Sequence, residues 1–107
     1  MANTFTKAVS SASVGTTLTD IYTVDSGKTA IVVGINLANV VDSQIKVTVI
    51  LTTGSSNVHL VKNVPVPAGS TLAVLDGKLV AEAGDIIKVE SDTAASTDVI
   101  ISILEQD

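Results

Sequence analysis

His59 is the only histidine in the chain and is therefore the first candidate for a catalytic base. It lies in the stretch Asn57-Val58-His59-Leu60, whose alternation of polar and apolar residues predicts a strand with His59 on its outward face. A nucleophilic serine, threonine, cysteine or lysine would have to lie beside this base. The sequence also lacks the Gly-x-Ser-x-Gly turn of the hydrolases. We interpret His59 as a surface strand residue and predict no catalytic site.

Carboxylates are the second source of possible chemistry. A glycosidase needs two of them across a cleft that aromatic side chains line, and Phe5 and Tyr22 are the only aromatics here. A calcium loop needs several spaced oxygen ligands, and no D-x-D-x-D-G pattern occurs. Aspartate beside glycine is what tight turns require in any case. We predict no metal site and no cofactor from the acidic residues of the C-terminal third, Asp76, Glu82, Asp85, Asp92 and Asp98.

Charge and cysteine content exclude several classes of function. The chain has six lysines, no arginine and a formal net charge of −5, so it offers no basic surface for nucleic acid or for an anionic membrane. Without cysteine there is no disulfide and no thiolate zinc site. No apolar run has the length of a signal peptide or of a membrane span. We expect a soluble protein that is made in a cytoplasm.

The elements that must position these residues are strands. Valine, isoleucine and threonine make up 40 of 107 residues, and such side chains fit a pleated sheet better than a helix. The length allows one domain. Turn residues separate alternating segments, which predict strands over 17–24, 28–39, 44–52, 58–64, 70–75, 78–81, 85–91 and 97–105. We predict an all-β, single-domain antiparallel β-sandwich or jelly roll of about eight strands over 14–107, with 1–13 as an N-terminal arm or weak first strand.

Alternation within these segments also predicts which side chains form the core. Gly34 stands inside a strand, which indicates a β-bulge, a bend or a close approach of another backbone. The predicted core positions are Ile31, Val33, Ile35, Leu37, Val47, Val49, Leu72, Val74, Ile101 and Ile103.

Three segments are apolar on both faces: Ile31-Val32-Val33, Ile86-Ile87 and Val99-Ile100-Ile101. Antiparallel sheets with one wet face normally carry polar residues at every second position. Either loops cover the second face, or another subunit does, and we favour the subunit. We therefore predict self-association, with a trimer favoured. The predicted interface with another subunit or another partner contains Phe5, Val9, Val32, Ile87 and Ile100.

The C-terminal half carries a resemblance to a known group. Residues 64–75 read VPVPAGSTLAVL and residues 78–89 read KLVAEAGDIIKV. This sequence pattern resembles that of small all-β virion proteins of tailed bacteriophages. The earlier stretch IYTV followed by GKTAIV, at 21–24 and 27–32, is similar to the opening hairpin of the same group. The resemblance implies a structural role without enzymatic activity, as a capsid decoration (cement) protein or a tail or neck component. It also implies a trimer or another ring, and no binding residue follows from it.

Three functions remain open at this point. The first is a decoration protein that binds the major capsid protein, or another virion protein, and stabilises the capsid. The second is a receptor-binding or carbohydrate-binding module, and the shortage of aromatic residues disfavours it. The third is a small enzyme, which we disfavour because the sequence shows no catalytic base beside a nucleophile and no set of metal ligands. The first interpretation places the protein in the virion.

Overall fold

The structure is a computed structural model that describes residues 3–11 and 14–107. None of the described residues lies in a helix, so the all-β prediction is confirmed. Nine strands follow one another along the chain: β1 (Asn3–Ser10), β2 (Thr19–Thr23), β3 (Thr29–Asn39), β4 (Ile45–Thr53), β5 (Ser56–Val66), β6 (Thr71–Ala73), β7 (Leu79–Glu82), β8 (Ile86–Ser91) and β9 (Thr97–Gln106).

The strands form two antiparallel sheets packed face to face. The first sheet has the order β1-β9-β3-β6, with β7 beside β6 on the same edge of β3, and the second sheet has the order β2-β8-β4-β5. One long hairpin folded over on itself would pair β1 with β9, β2 with β8, β3 with β6 and β7, and β4 with β5, and all of these pairs are present. Two such pairs lie side by side in each sheet, joined through β3 and β9 in the first sheet and through β4 and β8 in the second. This is the strand order of a jelly roll. Of the two predicted sandwich types, the jelly roll is the one observed.

The predicted N-terminal segment is an ordered strand rather than an arm. All eight residues of β1 pair with β9, from Asn3 opposite Gln106 to Ser10 opposite Val99. The structure thus favours the weak first strand over the arm. Residues 1, 2, 12 and 13 of the predicted segment lie outside the described residues.

The core lies between the two sheets and consists of aliphatic side chains. Six predicted core residues are buried, namely Ile35, Leu37, Val47, Val49, Ile101 and Ile103. Leu72 and Val74 are half-buried and pack against them. Burial of β-branched side chains on two facing pleats is what drives these segments together.

Two core predictions in the first half of β3 are wrong, and a β-bulge explains both. The pairing with β9 shifts between Val32 and Gly34, so Val33 is one extra residue without a partner on β9. Such an extra residue reverses the inward and outward positions on either side of it. Val32 is consequently fully buried, while Ile31 is half-buried and Val33 is 43% exposed.

The bulge glycine gives a testable prediction about stability. A Cβ at Gly34 would meet no heavy atom within 4 Å, and its backbone is outside the left-handed region. Gly34→Ala should therefore raise the free energy of unfolding by about 0.5–1 kcal/mol, because alanine restricts the unfolded chain. Chemical denaturation monitored by circular dichroism measures this change.

Gly27 supplies the matched control. It has equal free space but a φ of 81°, a backbone conformation that penalises any Cβ. Gly27→Ala should lower the free energy of unfolding by about 1–2 kcal/mol. Equal effects of the two substitutions would contradict the assigned backbone geometry of the bulge.

Candidate functional site

The residues considered for catalysis or metal binding are scattered. His59 is an exposed strand residue opposite Ile50, as the alternation predicts. Asp85 accepts a hydrogen bond from the backbone N–H of Glu82 at 2.9 Å, and Asp92 accepts one from that of Lys46 at 3.1 Å. Asp85 therefore stabilises a local turn, and Asp92 ties the segment after β8 to the start of β4. Among residues 3–11 and 14–107, no group of three or more metal-ligating side chains is assembled.

A row of apolar side chains crosses the outer surface of the first sheet. The register places Phe5 opposite Leu104, Leu104 opposite Ile31, and Ile31 opposite Val80. These four residues thus run across all four strand columns, from the β1 edge to the β7 edge. Phe5 is 80% exposed and Val80 is 60% exposed.

A second row lies four residues further along the same surface. Val9 is opposite Ile100, and Ile100 is opposite Asn36, which pairs in turn with Ala73. Val9 is 60% exposed and Ile100 is 42% exposed. The bulge adds the exposed Val33 beside these rows. We call the following set the apolar face: Phe5, Val9, Ile31, Val33, Ala73, Val80, Ile100 and Leu104.

The apolar face contains little charge. Lys7 lies between its two rows, opposite Ser102, which in turn pairs with Gly34. Glu82 and Asp98 stand one row beyond it at opposite ends, opposite Thr29 and Ala38 respectively. An apolar surface with a single lysine at its β1 edge and acidic residues beyond its ends is typical of a surface that contacts another macromolecule.

The outer surface of the second sheet is different. Lys88 and Asp20 form an ion pair there at 4.0 Å, and Ile50, opposite Lys88, is buried although it does not belong to the core cluster. In the irregular part of β5, the N–H of Asn63 donates to Thr48 Oγ1 at 3.0 Å. The outer surface of the second sheet thus carries charged and polar groups, whereas that of the first sheet is mainly apolar.

The structure separates the predicted interface residues into two groups. Phe5, Val9 and Ile100 lie together on the apolar face. The prediction that Val32 and Ile87 lie on an exposed strand surface is wrong, because both are fully buried between the sheets. The bulge in β3 places Val32 on the inner side of the first sheet. Ile87 faces the core on the same side of β8 as Val89, while Lys88 and Glu90 lie on the other side.

Five members of the apolar face were missed as interface residues. Ile31 and Val33 were predicted in the core, and Ala73, Val80 and Leu104 were not singled out. Each sequence segment shows an apolar residue at these positions, but the row becomes visible only when β7, β3 and β9 are known to be neighbours. An open depression of about 340 Å³ at the edge of the face is lined by Phe5, Thr6 and Lys7.

Comparisons with known proteins add no identification. No protein-family model and no curated protein matches the chain. The part of the chain that the structure describes contains no helix long and apolar enough to cross a membrane. The functional interpretation therefore rests on the geometry of the apolar face and on the resemblance noted in the sequence.

A polar cluster closes one end of the sandwich and ties its two sheets together. The hydroxyl of Tyr22 on β2 donates to Glu105 Oε2 on β9 at 2.6 Å, and Lys28 Nζ lies 3.7 Å from the other oxygen of this carboxylate. Burial raises the pKa of Tyr22 most, and the hydrogen bond to Glu105 and the negative charges of Glu105 and Asp25 raise it further. The phenol is thus held in its neutral form.

The raised pKa of Tyr22 leads to a prediction about the stability of the protein at alkaline pH. It is the only tyrosine, so tyrosinate absorbance reports on this one group. The folded protein should show no tyrosinate signal where the denatured protein titrates, near its ordinary value of about 10. Because only the unfolded state then loses the proton, the free energy of unfolding should fall as pH rises above about 10.

Tyr22→Phe is the control for this effect. The variant lacks the ionisable hydroxyl, so its melting temperature should fall less steeply than that of the wild type between about pH 9 and about pH 11. A tyrosinate titration of the folded protein that coincides with that of the denatured protein would contradict the described hydrogen bond.

Proposed function

We propose that this chain is a non-enzymatic structural protein of a bacteriophage virion, a capsid decoration protein that binds the capsid shell through its apolar face. The observation that supports this proposal is the exposed double row of apolar side chains on the first sheet, with Phe5 80% exposed at its edge. A lone soluble domain rarely leaves such a surface open unless the surface has a partner.

The shape and chemistry of the apolar face favour a protein surface as that partner. The face is a sheet surface four strands wide rather than an enclosed pocket, and its two rows carry no charged side chain. Charged residues are depleted at the centre of protein interfaces, because desolvating them costs free energy that apolar burial does not. A permanent assembly such as a virion suits a surface of this kind.

The fold agrees with this role without establishing it. Jelly rolls recur in viral capsid proteins and in lectins, so the fold by itself does not select a function. The aliphatic core and the second sheet lie behind the first sheet and support its apolar face from the inner side. The resemblance of residues 64–89 to virion proteins of tailed bacteriophages favours the phage structural role among the functions of this fold.

Stabilisation of the shell would follow from binding equilibrium alone. A protein that binds assembled capsomers, and not separated ones, stabilises the assembly by RT ln(1 + [L]/Kd) at each site. The gain is repeated over every copy on the lattice and grows further when one oligomer contacts several capsomers. Modest affinity at each apolar face is therefore sufficient, and no catalytic group is needed.

A particle assay tests the proposal. Particles that lack this protein should release their genome at a lower temperature than complete ones, and purified protein added back should restore the difference. Phe5→Ser and Ile100→Ser should bind the particles at least tenfold more weakly, because each removes apolar area from the contact. Cosedimentation with the particles measures the binding.

Val58→Ser is the matched control for this assay. Val58 is 49% exposed but lies on β5 of the second sheet, away from the apolar face. It should bind and protect particles as the wild type does. If particles without the protein are equally robust but fail to adsorb to host cells, the decoration function is wrong and the tail or receptor-binding function replaces it.

A further inference from the structure

The two sheets have four edges, and three of them are poor templates for another strand. The edge formed by β6 and β7 consists of strands of three and four residues. The β2 edge has five residues and a register shift between Asp20 and Tyr22. The β5 edge is long, but its register shifts twice against β4 and it contains Pro65, which has no N–H to donate. Short length, bulges and proline are features that protect sheet edges from unwanted pairing.

The β1 edge has none of these three features. Its eight residues pair with β9 without a register shift. The first five of them, from Asn3 to Lys7, are exposed. This includes Thr4 and Thr6, which alternate with the outward-facing residues of the strand. Successive residues of an antiparallel strand direct their backbone groups to opposite sides, so every second residue of β1 directs its N–H and C=O away from β9.

We propose that β1 pairs antiparallel with β1 of a second copy of this chain, which produces a two-fold symmetric dimer with one continuous sheet. A strand edge is complementary to itself when two copies run antiparallel, and a two-fold axis brings the same residues of both copies together. The other three edges lack an unbroken strand, so β1 has no equally suitable edge on a neighbouring copy except another β1.

The charge distribution favours this contact. The chain carries a net charge of −5, yet Lys7 is the only charged side chain among its first nineteen residues. Two copies that meet at β1 therefore keep their acidic residues apart. Pairing centred on Thr6 places Lys7 opposite Phe5 of the other copy, and pairing centred on Ala8 places it opposite Val9. In neither case do two lysines face each other.

The dimer would join two apolar faces into one surface. Each face is four strand columns wide and spans five residues, from Phe5 to Val9, which corresponds to roughly 320 Å² at ordinary strand spacing. The joined surface reaches roughly 640 Å², which approaches the roughly 800 Å² that each partner contributes to a standard interface. The inference does not depend on the proposed function, since it rests on the strand edge and not on what the apolar face binds.

Two neighbouring proline variants test the edge contact. Of Thr6→Pro and Lys7→Pro, one removes an N–H that bonds to β9 and lowers the melting temperature, and the other removes an N–H that faces outward and leaves it nearly unchanged. We expect the wild type to sediment as a dimer at micromolar concentration and the stable proline variant to sediment as a monomer of 10.9 kDa.

Val80→Ser is the control for association through the face rather than the edge. Val80 lies on the apolar face at the edge opposite β1, so this variant should dimerise as the wild type does. Loss of the dimer in Val80→Ser, a dimer that persists in the stable proline variant, or a wild type of monomeric or trimeric mass would each overturn the proposal.

Hydrogen exchange gives a second readout if neither proline variant folds. In the wild type, every second amide of β1 should become protected as the protein concentration rises, while the amides bonded to β9 stay protected throughout. Protection of the outward amides that does not change with concentration would also contradict the dimer.

Discussion

The pairing of β3 with β9 is the contact on which the rest of the structure depends. These two strands are the centre of the first sheet, and they pair along ten positions from Thr29 opposite Gln106 to Asn39 opposite Thr97. Their inward side chains form much of the core, and their outward side chains form the middle of the apolar face. The same backbone pairing therefore fixes both the stability of the domain and the chemistry of its exposed surface.

The single bulge within this pairing decides which residues serve which purpose. Without the extra residue at Val33, the alternation Ile31, Val33, Ile35 and Leu37 would place all four side chains on one side of the sheet. With it, Val32 enters the core, and Ile31 stays outside in register with Leu104 and Val80. The bulge thus adds apolar side chains to the outer surface at a position where polar ones would be expected in a free-standing sandwich.

Sequence reasoning was reliable where the signal is local. Alternation and turn residues located the strands to within a few residues, and six of the ten predicted core positions are buried. The errors at Ile31, Val32 and Val33 come from the bulge in β3, which the spacing of apolar residues does not encode. The error at Ile87 has another cause, because its alternation with Lys88 and Glu90 already places it on the side of Val89. Phe5, Val9 and Ile100 were predicted as interface residues, but their common surface depends on the order β1-β9-β3, which only the tertiary structure supplies.

The pairing of β1 with β9 also sets the order in which the domain can be completed. Of the nine strands described, β1 is synthesised first and its partner β9 last, so the nascent β1 has no native neighbour until β9 has left the ribosome. Because contacts between distant parts of a chain form slowly, the first sheet is expected to close late in folding. During that interval Phe5 and Val9 are exposed on an unpaired strand, and Lys7 between them is the only charge that opposes premature association of neighbouring nascent chains.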